Sequence, residues 1–419
     1  MNTIVTIVLS MALFITGCGV ESTMGSLPEA EKETYSPSQS MSSADTQEDD
    51  NELFIMGDVS KGFDPSLGDY ECGYVNCTGH KQTDKNVDGY AVCVPETFYC
   101  GEESCTGHEN ADEVCDTSFP IKLTFVGDCM LATSKGQSYE GSLNWYAANK
   151  EPSYFFEKVY DVFSSDDFTI VNLENVFTDK ALKERDKGHS VMYWYRGPSS
   201  NANILTASSV EMVSLSNNHY NDYGSQGQAD TRAALEAVNM PYGTDDKIVY
   251  FEKNGYKIAV ICHGLWGEWQ ADAIVNKIKE AETQSDFQIV YYHGGTERLH
   301  APEDWKVRAS RKLVDNGADL VIGNHPHVLQ PRETYNGVEI VYSLGNFCFG
   351  GNRKPENRTI VYTFELVVDK NEVISTKSDI IPYYVYTGTT NNWQPAPIED
   401  EAQKNIVLEF MEGKRDLPY

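Results

Sequence analysis

From about residue 118 onward, the apolar runs of this chain stop at side chains that can hold a metal or a proton. "IKLTFVG" (121–127) runs into Asp128, and "DFTIVNLE" (167–174) closes on Asn172 and Glu174. "VEMVSLSN" (210–217) leads to Asn217, Asn218 and His219, "FQIVYYH" ends at His293, and "DLVIGNH" ends at His325. Their length and their β-branched and aromatic content predict strands. "SYFFEKVYDVF", "SQGQADTRAALEAV" and "EDWKVRASRKLVDNGA" carry helical spacing, the last with Gly317 at the C′ place. "KIVYFEKNGYKIAVICH" predicts a hairpin turning at Asn254-Gly255. Such alternation predicts an α/β domain with a layered, mixed sheet over residues 118–419. In α/β sheets, ligands gather beyond the carboxyl ends of the strands. Five strand ends therefore deliver Asp, Glu, Asn and His to one rim.

The chain has only nine histidines, yet His325 and His327 flank Pro326. Proline restricts its own φ and disfavours helix for the residue before it, so an extended His-Pro-His is expected. Residues i and i+2 of an extended segment share a face, which would hold the two imidazoles side by side. Imidazole, carboxylate and amide oxygen together suit borderline divalent metals: zinc, manganese or iron. The number of such groups supports two ions, and a metal pair sharing a carboxylate is a device for activating water in hydrolysis.

The ordered strings "GDCML", "NLEN", "SLSNNHYNDYG", "YHGGTE", "GADLVIGNHPHVLQP" and "IVYSLGNFCFG" resemble the motifs of the bacterial capsule-synthesis CapA family over about residues 121–350. That family is tied to poly-γ-glutamate capsule production and is similar in fold to the calcineurin-like metallophosphoesterases. The resemblance implies a layered α/β/β/α sandwich with mixed sheets. It implies that Asp128 binds a first metal, that Glu174 bridges, and that Asn218, His293 and His325 bind a second metal. His327 would turn to the first metal, and His219 would protonate a leaving group. Two departures stand out. General phosphoesterases have Asp-x-His after the first strand, whereas this chain has Asp128-Cys129-Met130, which removes one expected ligand. Gly294 stands where the family often carries tryptophan.

Other residues are candidates for the rim. Asn172 is a second choice for the bridge or a substrate contact. Arg196 and Arg298 could each bring a cation to an anionic substrate, and His263, at another strand end, could line the site. Ser343 and Asn346 follow a strand and are expected to brace the rim. Ser343 has no neighbouring base in the sequence, which argues against a serine hydrolase. Cys262 and Cys348 lie in apolar strands and are expected to be buried thiols.

The N-terminal region is organised differently. Residues 1–17 carry a short apolar run ending in Ile15-Thr16-Gly17-Cys18, too short for a confident membrane span. It resembles a bacterial lipoprotein signal, with Cys18 as the lipidated residue, although residues 2–17 contain no Lys or Arg. Residues 18–68 read as a disordered acidic, Ser-rich tether. Residues 69–117 hold a tandem repeat, "CGYVNCTGH" at 72–80 and "CGEESCTGH" at 100–108. Its six cysteines are Cys72, Cys77, Cys93, Cys100, Cys105 and Cys115. Disulfides are the default in an exported small module. Two zinc sites using His80 and His108 are the rival.

The net charge of −30, from 63 acidic and 33 basic residues, excludes a broad nucleic-acid surface. It also disfavours wide contact with a polyanion such as polyglutamate, though a metal-centred pocket could still grip one chain end. Two functions are expected from these readings. One is a membrane-anchored, extracytoplasmic hydrolase using two divalent metals on a phosphoester or a polymer amide. The other is a non-catalytic component of capsule assembly that holds polymer or another capsule-synthesis protein in the same pocket.

Overall fold

The structure, a computed structural model, describes residues 117–188, 193–351 and 357–419, with the backbone of three short strands at 53–55, 84–85 and 91–92. The run read as an export signal, with Cys18, and all six cysteines of the repeat lie outside the described residues. Among the described residues no helix is long and apolar enough to cross a membrane.

Two seven-stranded sheets face each other. The first is built on β1 (Phe119–Cys129), β2 (Phe168–Leu173), β3 (Met212–Ser214), β10 (Arg358–Asp369) and β11 (Glu372–Tyr384). The second contains β4 (Val249–Lys253), β5 (Tyr256–Gly264), β6 (Phe287–His293), β7 (Leu320–Asn324), β8 (Leu329–Tyr335) and β9 (Val338–Leu344). In the first, the order is β3-β2-β1-β10-β11, with the pairs Tyr242–Gly243 and Ala396–Pro397 at its edges. In the second it is β4-β5-β6-β7-β9-β8, and Leu53–Ile55, from the stretch read as tether, pairs in parallel with β4. β1, β2 and β3 run parallel, as do β5, β6 and β7; β10, β11, β4 and β8 add antiparallel neighbours. The sheets are thus mixed, as expected.

Phe125, Ile170, Ile258, Ile289, Ile322 and Tyr362 meet in the core between the sheets. The outer face of the first sheet, through Val126, Val171 and Val213, packs on Leu143 of α1 (Leu143–Asn149) and Leu235 of α2 (Gly224–Glu236). The outer face of the second, through Val290 and Val321, packs on α3 (Ala271–Ala281) and α4 (Asp304–Val314). α3 buries Ala271, Ile274, Ile278 and Ala281, a single stripe at helical spacing. Each isoleucine contributes about 1.5–3 kcal/mol by leaving water. The result is the expected layered α/β/β/α sandwich with mixed sheets. Because both faces of each sheet are covered, the central strands read as continuous apolar runs.

The turn at Asn254 and Gly255 has φ of 51° and 81°, the paired positive values that a two-residue hairpin requires. Gly317, at φ 105°, follows α4 as expected. The run "SYFFEKVYDVF" differs from expectation. It is a 3₁₀ turn at Pro152–Phe156 followed by one helical turn at Tyr160–Phe163, because its aromatics fill gaps in the outer layer.

Candidate metal centre

The carboxyl ends of the parallel strands in both sheets open at one place. Asp128 is buried at the end of β1, and Glu174, also fully buried, follows β2. Asn218 and His219 follow β3, His293 ends β6, and His325 and His327 follow β7. Their polar atoms form two groups of metal-ligating geometry: Asp128, Glu174 and His327, and Glu174, His293 and His325. Glu174 belongs to both.

In the second group, His325 Nδ1 lies 3.0 Å from His293 Nε2, which lies 2.8 Å from Asn218 Oδ1. In the first, His327 Nδ1 lies 3.0 Å from Asp128 Oδ2. Between the groups, Glu174 Oε1 is ringed by Nε2 of His219 at 3.8 Å, His293 at 3.6 Å and His327 at 3.8 Å. Those gaps are too long for hydrogen bonds. Both carboxylate oxygens of Glu174 are buried without a hydrogen-bond partner.

An unpaired buried carboxylate is among the costliest groups a protein can hold. Burial pushes Glu174 well above the usual carboxylate range, against the pull of His327. Burial would do the same to Asp128, but hydrogen bonds and charge from His293 and His327 hold it well below that range. His327 is pushed up to about 10: burial opposes the charge, but Glu174 and Asp128 outweigh it. Burial drives His325 well down and His293 down as well. The cluster thus favours a cation beside Asp128 and Glu174 and neutral imidazoles opposite. That profile suits divalent cations, and the residues present could hold them.

The approach to this geometry differs from the sequence reading at the His-Pro-His bend. His325 has φ of 97° and His327 of 59°, so the segment is not extended. Left-handed backbone at a non-glycine residue costs on the order of 1–3 kcal/mol. The bend aims the two rings at different ion groups, with centroids 5.5 Å apart. Asn172 is a brace rather than a rim residue. It is fully buried, donates to Asp128 Oδ1 at 2.7 Å, and lies 2.9 Å from His293 Nδ1. Arg196 faces a separate groove and donates to the Lys180 carbonyl. His263 is buried, its Nδ1 2.6 Å from the Gly264 carbonyl oxygen, and it is not among the residues lining the cavity. Cys129, Cys262 and Cys348 are buried free thiols.

Arg298 does line a cavity of about 890 Å³ that opens over His219 and His327. Tyr139, Tyr146, Tyr193, Tyr195 and Trp393 form much of its wall, and Glu140 and Glu297 share it. Gly294 has no room for a side chain, since a Cβ there would overlap the Leu265 carbonyl. Trp266, from the loop after β5, sets its ring edge against His293 and His325 instead, with centroids 5.6 and 4.9 Å away.

Sequence reasoning missed Asp222 and Lys187. Asp222 Oδ2 lies 2.9 Å from His219 Nδ1 and accepts from Tyr195 N at 2.8 Å. Lys187 Nζ lies 2.5 Å from Asp222 Oδ1. An aspartate three residues after a strand-end histidine was the available signal for the first. Nothing local marks the second.

These observations stand beside the comparisons. Residues 122–351 match the family model "Bacterial capsule synthesis protein PGA_cap". The PGA biosynthesis protein CapA of Bacillus subtilis (strain 168) is 29% identical over 317 residues, 69% of this chain and 77% of that protein. The capsule biosynthesis protein CapA of Bacillus anthracis is 26% identical over 316 residues, 68% of this chain and 72% of its own. A crystal structure of a hypothetical protein from Thermus thermophilus overlaps 62% of this chain and 99% of its own, at 14% identity and a TM-score of 0.39. With more than half of its length matched by the family model, this chain belongs to the bacterial capsule synthesis protein family PGA_cap.

Proposed function

We propose that this protein serves capsule, poly-γ-glutamate, biosynthesis at the cell surface as a two-metal hydrolase of a phosphoester or a polymer amide. The observation that carries the reading is Glu174: shared by both ligand groups, fully buried, with neither oxygen hydrogen-bonded. The names of the Bacillus relatives support the capsule role. The metals are zinc, manganese or iron, held by Asp128, Glu174 and His327 on one side and Glu174, Asn218, His293 and His325 on the other. When bound, such a pair supplies Lewis acidity and a water nucleophile at neutral pH.

The chain's own residues do the rest. Asp222 binds the Nδ1 edge of His219 and so directs Nε2 toward Glu174 and the reacting centre. A proton at Nε2 is then placed for a leaving group. Burial lowers the affinity of His219 for that proton, and the Asp222 charge opposes the loss. The Tyr195 ring lies tilted against the imidazole, with centroids 4.4 Å apart, and limits water on that side. Arg298 supplies a cation for an anionic substrate, while Glu140 and Glu297 in the same wall repel an extended polyanion. That balance favours a phosphoester or one chain end over a long stretch of polyglutamate.

The anchor proposed is lipid on Cys18, joined to the domain through the acidic, Ser-rich stretch that follows it. Partners would be the membrane, capsule polymer and other capsule-synthesis proteins. The test is turnover of phosphomonoesters, phosphodiesters and glutamyl polymers by the metal-loaded protein, with Asp128→Asn as control. Metal-dependent turnover that Asp128→Asn abolishes supports the hydrolase. A metal-loaded protein that turns over none of them is the non-catalytic assembly component instead.

A further inference from the structure

The first ion group is one ligand short. The position two residues after Asp128, a histidine in general phosphoesterases, is Met130, buried at the cavity wall. Cys129 does not substitute for it. Its side chain packs in the apolar layer outside the first sheet.

We propose that Asn346 Oδ1 is the missing ligand, and that it makes the first site an oxygen-rich site for a hard divalent ion such as Mn²⁺. This inference rests on the two-metal reading above.

The geometry is specific. Asn346 Oδ1 lies 2.9 Å from His327 Nδ1, which lies 3.0 Å from Asp128 Oδ2. Adjacent ligands of an octahedral ion with bonds of about 2.1 Å stand about 3.0 Å apart. Asn346 Oδ1 and Asp128 Oδ2 thus each stand at ligand spacing from His327 Nδ1, and Glu174 offers its unpartnered oxygens to the group of Asp128 and His327. The backbone holds Asn346 there. Asp128 N donates to the Gly345 carbonyl at 3.0 Å, Phe347 N donates to the Asp128 carbonyl at 2.8 Å, and Asp128 and Asn346 form a parallel bridge. A Cβ at Gly127 would overlap the Gly345 carbonyl oxygen, and Gly345 has φ of 74°. Both glycines are needed for the loop after β9 to press against the end of β1. Asn346 is 3% exposed and lines the cavity beside His327.

The donor sets then differ. The first site holds one imidazole and three oxygen donors, from Asp128, Glu174 and Asn346 with His327. The second holds two imidazoles and two oxygens. Oxygen donors favour manganese and magnesium, and imidazole favours zinc and iron. The two sites should therefore load different ions from a mixture.

The experiment uses the full chain, stripped of metal and titrated with Mn²⁺ by calorimetry, followed by a crystal structure of the Mn²⁺-loaded protein with anomalous scattering. The expected result is two ions, with Asn346 Oδ1 about 2.1–2.3 Å from one of them. Asn346→Ala should keep the second ion and lose the first by more than about 100-fold in affinity, beyond the 10–100-fold typical of removing an outer-shell partner. Met130→His in the Asn346→Ala background should restore the first. A retained second ion also shows that the variant is folded. Wild type and Asn346→Ala both binding two ions with equal affinity would overturn the inference alone. So would a loaded crystal with Asn346 Oδ1 beyond about 3 Å from either ion, or loss of both ions in Asn346→Ala. A wild-type protein that takes up no divalent ion would overturn the proposed function together with it.

Discussion

Replacing Glu174 by methionine, which has a similar shape and no carboxylate, should change stability in opposite directions with and without metal. In the metal-free protein the carboxyl is fully buried with both oxygens unpartnered. An unsatisfied buried polar group costs about 1–3 kcal/mol. Part of that is offset by attraction to His327, but burial is the larger influence on Glu174. The metal-free variant should therefore be more stable by about 1–3 kcal/mol. At about 2–4 °C per kcal/mol, that is a rise in Tm of some 2–12 °C. Metal reverses the ranking. Each site filled at a hundred times its Kd stabilises by about 2.7 kcal/mol, so two sites give the wild type roughly 5 kcal/mol. That is about 10 °C or more. The variant loses the ligand common to both sites and should gain little. Differential scanning calorimetry of both proteins, with chelator and with excess Mn²⁺ or Zn²⁺, reads all four states. If Glu174→Met melts lower than wild type in chelator, and both gain equally from metal, the shared-ligand reasoning is wrong.

His219→Ala should keep its metal yet lose about 10²–10⁴-fold in rate on an alkyl phosphate, and much less on an activated aryl phosphate that needs no proton. Asp222→Asn should show the same leaving-group signature at smaller amplitude, and equal losses on both substrates would remove the proton-donor role. Lys306, fully buried with its Nζ donating to Gln330, has its affinity for a proton lowered by burial to a pKa of about 7, from 10.5. A lowered lysine costs stability fully below about pH 7, progressively less between pH 7 and 10.5, and not above. Lys306→Met should therefore gain most in Tm below pH 7 and lose that gain as pH rises, against a constant loss of one hydrogen bond; a flat difference across that range refutes it. Mass spectrometry of the native protein should find a lipid-modified N-terminus at Cys18, and an unmodified Met1 speaks against an anchor. Thiol counting on unfolded, unreduced protein should find the six repeat cysteines blocked, whereas six reactive thiols with bound zinc favour the rival zinc sites.

The candidate ligand set was legible because its members interrupt apolar strands. Asp128, Glu174, Asn218, His293, His325 and His327 each follow a run that is continuous because both sheet faces are covered. Polar residues at such ends have few structural alternatives. The path of the backbone between them was less legible. His325 and His327 both have positive φ, which for His325 the preference of a pre-proline residue argues against, because strain at a site is fixed by surrounding contacts and not by local propensity. Arg196 lies within the short strand Tyr195–Gly197 and His263 within β5, and their side chains serve neither ion group: one lines another groove and one meets the Gly264 carbonyl. Asn346 was visible only as a rim brace. Its place beside Asp128 depends on Gly127 meeting Gly345, a contact between segments more than two hundred residues apart. Short motifs cannot show such a pairing.

In the proposed centre one buried carboxylate, Glu174, joins two metal sites. The most direct measurement is the metal content of the native protein, purified without chelator and analysed by inductively coupled plasma mass spectrometry beside Glu174→Met. Two divalent ions per chain in the wild type, and the loss of both in the variant, are the predicted result. A wild type without stoichiometric metal, or a variant that keeps both ions, contradicts it.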